Sequence, residues 1–250
     1  MILDGRVALV TGAGQGVGRG VALALAGEGA QVAVVGRTVS KCEDVASEIV
    51  ARGGAAQPFA CDVTSRPEVE SCVDAVRGAL GPGQILVNAA QTMAYGSLRR
   101  LTEADLEIQW QSGPMGTFRF MQVCFDDLRA ARGSIVNFGS GSGLTVAPAM
   151  GGYAAAKEAI RVLSRAAAVE WGRYGIRVNV ILPLADSPGM MSWAQDLPAA
   201  GTSLADRVPL GRIGDCEKDI GRAVVYLVGP DAAYVTGTTL VVDGGHDYLR

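Results

Sequence analysis

The opening of this chain restricts its fold more than any other stretch. Arg6 to Val10 (RVALV) is a short, apolar, β-rich run. It passes at once into Thr11-Gly12-Ala13-Gly14-Gln15-Gly16-Val17-Gly18, and an alanine- and leucine-rich stretch continues to about Gly27. Strand, glycine-rich turn and helix in this order bring backbone N–H groups and a helix N-terminus to one point, the arrangement that cradles a phosphate. The glycines follow T-G-x-x-x-G-x-G rather than G-x-G-x-x-G, because the third position of each candidate triplet is Val17, Arg19 or Val21. Glycines in such a turn can also serve tight packing alone; the flanking strand and helix favour phosphate binding.

The alternation continues along the chain. Gln31–Val35, Ala56–Cys61, Gln84–Val87, Gly133–Phe138, Gly175–Leu182 and Thr238–Val242 read as strands. Lys41–Ala51, Arg66–Leu80, about Thr102–Leu128, Gly152–Arg173 and Glu217–Val228 read as helices. Strands separated by helices of these lengths predict an α/β fold, a doubly wound parallel sheet of about seven strands with helices on both faces. No linker, repeat or low-complexity tract interrupts the pattern, so a single domain over residues 1–250 is expected. Inside the long fourth helix lies Ser112-Gly113-Pro114; proline removes a helical N–H and clashes with the preceding turn, so a kink is expected there.

Composition narrows the function. A formal charge of −3 and the lack of any basic run argue against nucleic acid or an anionic membrane as partner. No secretory signal pattern opens the sequence, and no apolar run is long enough to span a bilayer. The five cysteines are scattered, with no Cys-x-x-Cys, which suits a reducing cytoplasm. His246 is the only histidine, which sets aside a histidine-based metal site and a Ser-His-Asp hydrolase; no metal is expected.

Two places carry chemistry. The second strand ends in Gly36-Arg37, where dinucleotide folds keep an acidic residue for a ribose 2′-hydroxyl or an arginine for a 2′-phosphate. With no carboxylate there to repel a phosphate and Arg37 offering a charged fork, NADP is favoured over NAD. Further on, Ser140 precedes Tyr153 by thirteen residues and Lys157 follows one helical turn later. On a helix Tyr153 and Lys157 share a face, and a fixed ammonium favours the phenolate, making the tyrosine a candidate acid/base. By itself Tyr-x-x-x-Lys is common on ordinary helices.

Taken together, the T-G-x-x-x-G-x-G turn, Asn88-Ala89-Ala90, Ser140, Tyr153-x-x-x-Lys157 and Asp243-Gly244-Gly245 match, in order and spacing, the short-chain dehydrogenase/reductase family, which the chain resembles along nearly its whole length. The resemblance implies a Rossmann-like fold and a nicotinamide cofactor that supplies hydride while the protein positions and polarises. It implies that Tyr153 is the acid in ketone reduction and the base in alcohol oxidation, that Ser140 binds the substrate oxygen, and that Lys157 holds the nicotinamide ribose. Ser142 competes for the serine role, but the spacing favours Ser140. Gly12, Gln15, Gly16, Val17, Gly18 and Arg37 would hold the cofactor's phosphates, Asp62 and Val63 would meet adenine, and Asn88 and Ala89 would line the trough. The segment after Pro183 would reach the carboxamide, and residues 184–213 would form a substrate lid. Relatives commonly assemble as tetramers through the two long helices, so a homotetramer or homodimer is expected.

The chain departs from the family at three points: Ala90-Gln91 stands where a glycine usual in the family would be, Pro183-Leu184 replaces Pro-Gly, and Gly113 occupies the position of the helix asparagine that completes the catalytic tetrad. Met93, Tyr95, Leu144, Val146, Met150, Met190, Met191 and Trp193 are the expected pocket walls, and their apolar character suggests a small, neutral, largely apolar alcohol or ketone, a cyclic one among the candidates. The competing expectation, motivated by Gly113, is a dinucleotide-binding sensor or scaffold with little catalysis.

Overall fold

The computed structural model describes residues 1–188 and 204–247. A seven-stranded, all-parallel sheet runs in the order β3-β2-β1-β4-β5-β6-β7. Its strands are β1 (Val7–Thr11), β2 (Gln31–Gly36), β3 (Ala55–Ala60), β4 (Ile85–Asn88), β5 (Ser134–Phe138), β6 (Arg177–Pro183) and β7 (Thr239–Val242). The strand order reverses direction between β1 and β4, which opens a crevice at their C-terminal ends.

Both faces of the sheet are buried, so its central strands are mostly apolar rather than alternating, with Asn137 and Asn179 as buried polar exceptions. In β1, Ala8 and Val10 pack with α1 (Gly16–Gly27), α2 (Val39–Ala51) and, late in the chain, Arg222–Val228. Val7 and Leu9 point the other way, onto α3 (Arg66–Leu80) and the middle of the chain. The edge strand β3 is half-exposed and carries Pro58, as an edge can, since one side of its backbone has no ladder to complete.

The long fourth helix is broken into pieces: α4 (Glu103–Trp110), a wide turn at Gln111–Met115, α5 (Gly116–Val123) and α6 (Phe125–Ala131). Thr102 and Asp105 form the reciprocal cap at its start. The expected kink at Pro114 is the wide turn, in which the Gly116 N–H reaches back five residues to the Gln111 carbonyl. An extra residue per turn accommodates the N–H that proline lacks. Next comes α7 (Gly151–Trp171); the last helix is likewise shortened, to a wide turn at Cys216–Gly221 followed by α8 (Arg222–Val228). No helix of the described residues is long and apolar enough to cross a membrane.

Helix α1 crosses the turn at Cys216–Gly221 closely because Gly20 and Gly221 lie at the contact: a Cβ on Gly20 would overlap the Cys216 carbonyl, and one on Gly221 would stand 2.6 Å from the Ala24 methyl. Helix propensity alone would make Gly20→Ala stabilising by about 1 kcal/mol. The backbone contact reverses the sign, and a net loss of about 1–3 kcal/mol is expected. Denaturant midpoints of the two proteins decide it; a more stable variant would mean that the crossing is looser than described.

Candidate active site

The glycine-rich turn closes against the end of β4. Gly12 is left-handed (φ 67°), and a Cβ there would stand 2.9 Å from the Ala90 backbone; a Cβ on Gly18 would overlap the Gly12 carbonyl. The Thr11 hydroxyl accepts from the N–H groups of Ala89 (3.1 Å) and Ala90 (3.3 Å), tying the two strand ends together. At the start of α1, Gln15 makes no side-chain cap; its side-chain oxygen Oε1 accepts instead from Lys41 at 2.7 Å. The first N–H groups of α1 therefore keep free directions at a positive helix end, the condition for binding an anionic phosphate.

A cleft of about 390 Å³ follows from that turn. Gly12, Gln15, Gly16, Val17 and Gly18 line one side, and Arg37, Asp62, Val63 and Ala89 line the rest. Arg37 is exposed and lies 3.4 Å from the Thr92 hydroxyl across the cleft. Lys41, which sequence reading passed over as an ordinary helix residue, adds a second cation to the same wall. Asp62 is turned toward its own loop, accepting from the Thr64 N–H and hydroxyl. Asn88 does not line the cleft: its amide donates to Asn137 at 2.8 Å, and Asn137 in turn donates to Ser164. It braces the strand end that carries Ala89 and Ala90. These residues fit a dinucleotide: an uncapped helix end, backbone approach possible only at glycine, and cations at the distal end.

A second cavity of about 410 Å³ holds Ser140, Tyr153, Met93, Met150 and Pro183; Val17 and Ser187 line both spaces, so the two are continuous. Ser140 leaves β5 in extended conformation and caps the single turn that follows, accepting from the Ser142 N–H at 3.1 Å. Tyr153 and Lys157 project from the first turns of α7. The Lys157 Nζ donates to the Phe138 carbonyl at 2.8 Å and lies 5.6 Å from the centre of the Tyr153 ring. Burial depresses the lysine to about 7. Burial also pushes the Tyr153 phenol up to about 12, against the downward pull of its hydrogen bond with Ser140. In the protein alone, then, desolvation outweighs the Ser140 hydrogen bond on the tyrosine.

Of the expected substrate walls, Met93 and Met150 line the cavity, whereas Tyr95, Leu144 and Val146 do not, and Tyr95 and Val146 are exposed. The side chains of residues 145–147 alternate around a loop, so apolar character alone did not select the right ones. Met190, Met191 and Trp193 lie outside the described residues. Thr145, Arg207, His246 and Asp247 complete the wall. Nothing in the sequence singled them out, since the C-terminal loop reaches the cavity only through tertiary contacts: Asp247 accepts from the Thr145 hydroxyl at 3.0 Å, and Leu210 N–H donates to the Gly244 carbonyl. Gly113 sits in the wide turn before α5, with the Gln91 side chain in the space that a Cβ would need.

A doubly wound sheet with a glycine-rich turn at its crevice thus opens into a cavity lined by Ser140 and Tyr153, with Lys157 beside the tyrosine. Residues 12–247 match the family described as Enoyl-(Acyl carrier protein) reductase. The chain is 40% identical to a 12alpha-hydroxysteroid dehydrogenase from a Clostridium species, with 98% of this chain and 97% of the relative covered. It is 35% identical to the D-threitol dehydrogenase of Mycolicibacterium smegmatis, over 98% and 94% of the two chains. A gluconate 5-dehydrogenase from Burkholderia cenocepacia, solved with NADP and tartrate, superposes with a TM-score of 0.91 at 30% identity, over 99% and 97%. The chain belongs to the short-chain dehydrogenase/reductase family and is an oxidoreductase acting on hydroxyl groups.

Proposed function

We propose that the protein is an NADP-dependent alcohol–ketone oxidoreductase whose substrate is a largely apolar, cyclic molecule of the hydroxysteroid kind. One observation carries this: Ser140 and Tyr153 line a cavity continuous with the glycine-rich cleft, and the buried Lys157 stands beside the Tyr153 ring. The nicotinamide, when bound, supplies or accepts the hydride. The chain does the rest. Tyr153 gives its proton to the carbonyl oxygen in reduction and takes it back in oxidation, and Ser140 donates a hydrogen bond to that oxygen as charge grows on it. Lys157 holds the nicotinamide ribose and stabilises any phenolate. Gly12, Gln15, Gly16, Val17 and Gly18 receive the pyrophosphate, Asp62 and Val63 the adenine, Ala89 the trough and Pro183 the carboxamide end. Met93 and Met150, with Ala147 and Leu184, suit ring methylenes better than a polyol.

A panel of hydroxysteroids and cyclic ketones, run against tetritols and short keto acids, tests the substrate class. Preference for the polyols or acids would overturn it.

Cofactor choice rests on Arg37, with Lys41 beside it. Arg37→Asp is expected to weaken NADPH about ten- to hundredfold while leaving NADH nearly unchanged, the loss of a charge-assisted contact plus a new repulsion. Because Arg37 is exposed, the difference should shrink as salt rises. Tighter NADH than NADPH binding by the native protein would refute the assignment.

The sensor or scaffold alternative depended on Gly113, and the Gln91 side chain packed there removes its main motive. We further propose that the chain acts as one unit in the cytoplasm and pairs with copies of itself through α4 and α7. Leu106, Ile108 and Trp110 on the first and Val162 and Val169 on the second are exposed apolar side chains, and covering them would stabilise an assembly.

A further inference from the structure

We propose that Gln91 is a positioning residue of this active site: its carboxamide stands in the place of the side chain that Gly113 lacks, braces the wide turn beneath α7, and offers its oxygen to a buried water. The inference rests on the oxidoreductase reading above.

The amide orientation is fixed by its partners. Nε2 donates to the Thr92 carbonyl at 3.1 Å and to the Gln109 carbonyl at 3.0 Å. Carbonyl oxygens only accept, so the nitrogen must face them and the oxygen must point away. It points at Gly113, where a Cβ would overlap it. A glycine at 113 and a long amide at 91 are thus two halves of one packing solution. Both are departures from the family pattern, and each makes sense only with the other.

Two side-chain oxygens here lack a donor. Gln91 Oε1 is buried and meets no donor among the described residues, and Gln109 Oε1, on the adjoining helix α4, is in the same state. A buried acceptor without a donor costs about 1–3 kcal/mol, and an internal water with its two donors is the ordinary remedy.

From Gln91 the contacts lead to the chemistry. Gln109, held through its carbonyl, places its amide where a Cβ on Gly152 would come within 2.9 Å of it, directly before Tyr153. The Thr92 N–H donates to the Ser112 hydroxyl at 3.0 Å, which itself donates to the Ile108 carbonyl. The loop edging the cofactor cleft, the wide turn and the start of α7 are therefore fastened together, and Gln91 is at the junction.

Gln91→Met keeps the length of the side chain and removes its polar end. In this variant kcat should fall about ten- to hundredfold, the scale of a small misplacement of a catalytic group, while KM for the ketone stays within about twofold, since Gln91 borders the cofactor cleft and not the substrate cavity. The pH profile for alcohol oxidation should move to higher pH, because a less polar surround disfavours the phenolate further. Gly113→Asn should lower both kcat and the unfolding midpoint, and Gln91→Ala/Gly113→Asn should recover part of each, a non-additive cycle. A Gln91→Met enzyme with native kcat and pH profile would overturn the proposal, as would additive effects in the cycle. A high-resolution crystal structure of the NADP complex should place a water within hydrogen-bonding distance of Gln91 Oε1; a dry Oε1 also overturns it. If the native protein turns over no alcohol or ketone, the proposed function fails, while the water and the unfolding midpoints of the cycle still decide this inference.

Discussion

Tyr153→Phe lowers kcat about a thousandfold and leaves NADPH binding within about twofold of native, the range set by loss of a positioned general acid. The phenol is buried and bonded to Ser140, and no other acidic proton faces the cavity from α7. Phenylalanine keeps the ring against Lys157 and the fold around it, so the loss is chemical rather than structural. With the phenol pushed up to about 12, the protein at neutral pH presents a protonated acid, ready for ketone reduction. Alcohol oxidation needs the phenolate, so its rate should climb with pH over a range where the rate of reduction is level or falling. Single-turnover reduction and oxidation of one hydroxysteroid pair from pH 6 to 9.5 would show the divergence. A variant with more than a tenth of native kcat would remove Tyr153 from its role and direct attention to Ser140 or a water.

The sheet was readable because its central strands are buried on both faces and therefore mostly apolar, while each is punctuated by glycine or an amphipathic helix. The glycine-rich turn was readable for a steric reason: Gly12 and Gly18 lie where backbone meets backbone. What sequence reading missed depends on side chains meeting across long separations. The interruption at Ser112-Gly113-Pro114 was expected from proline, but its form, a wide turn filled by Gln91, depends on a loop twenty-two residues earlier in the chain. Lys41 looked like one more charged helix position, and only the path of α2 past the cleft gives it a part. Thr145, Arg207, His246 and Asp247 reach the second cavity through loops without periodicity. Asn88 was expected to line the trough and instead bonds to Asn137, a pairing set by the parallel register of β4 and β5.

Lys157→Met is expected to lower kcat about a hundredfold or more by removing the amine beside Tyr153, and to change how stability depends on pH. Folding buries this amine and depresses it from 10.5 to about 7. Between those values the unfolded chain holds a proton that the folded protein does not, so stability rises with pH there, by up to about 1.4 kcal/mol per unit. Below pH 7 the amine is protonated in both states, the slope from this group vanishes, and the full cost of a buried ammonium is present. Thiols work in the opposite sense: burial raises Cys124 to about 12 and Cys216 to about 11 from 9.0, so their unfolded forms ionise first and stability falls above about pH 9. The lysine is therefore seen best between pH 7 and 8.5. Urea unfolding of the dinucleotide-free protein across that window should show a rising free energy for the native chain and a flatter one for Lys157→Met. The variant should be the more stable near pH 7, where it buries no charge, and lose that advantage toward pH 8.5, where it still leaves the Phe138 carbonyl without its donor. Parallel lines would mean that Lys157 keeps its proton in the folded state, and the ammonium would then stand permanently beside Tyr153, favouring the phenolate even before a cofactor binds.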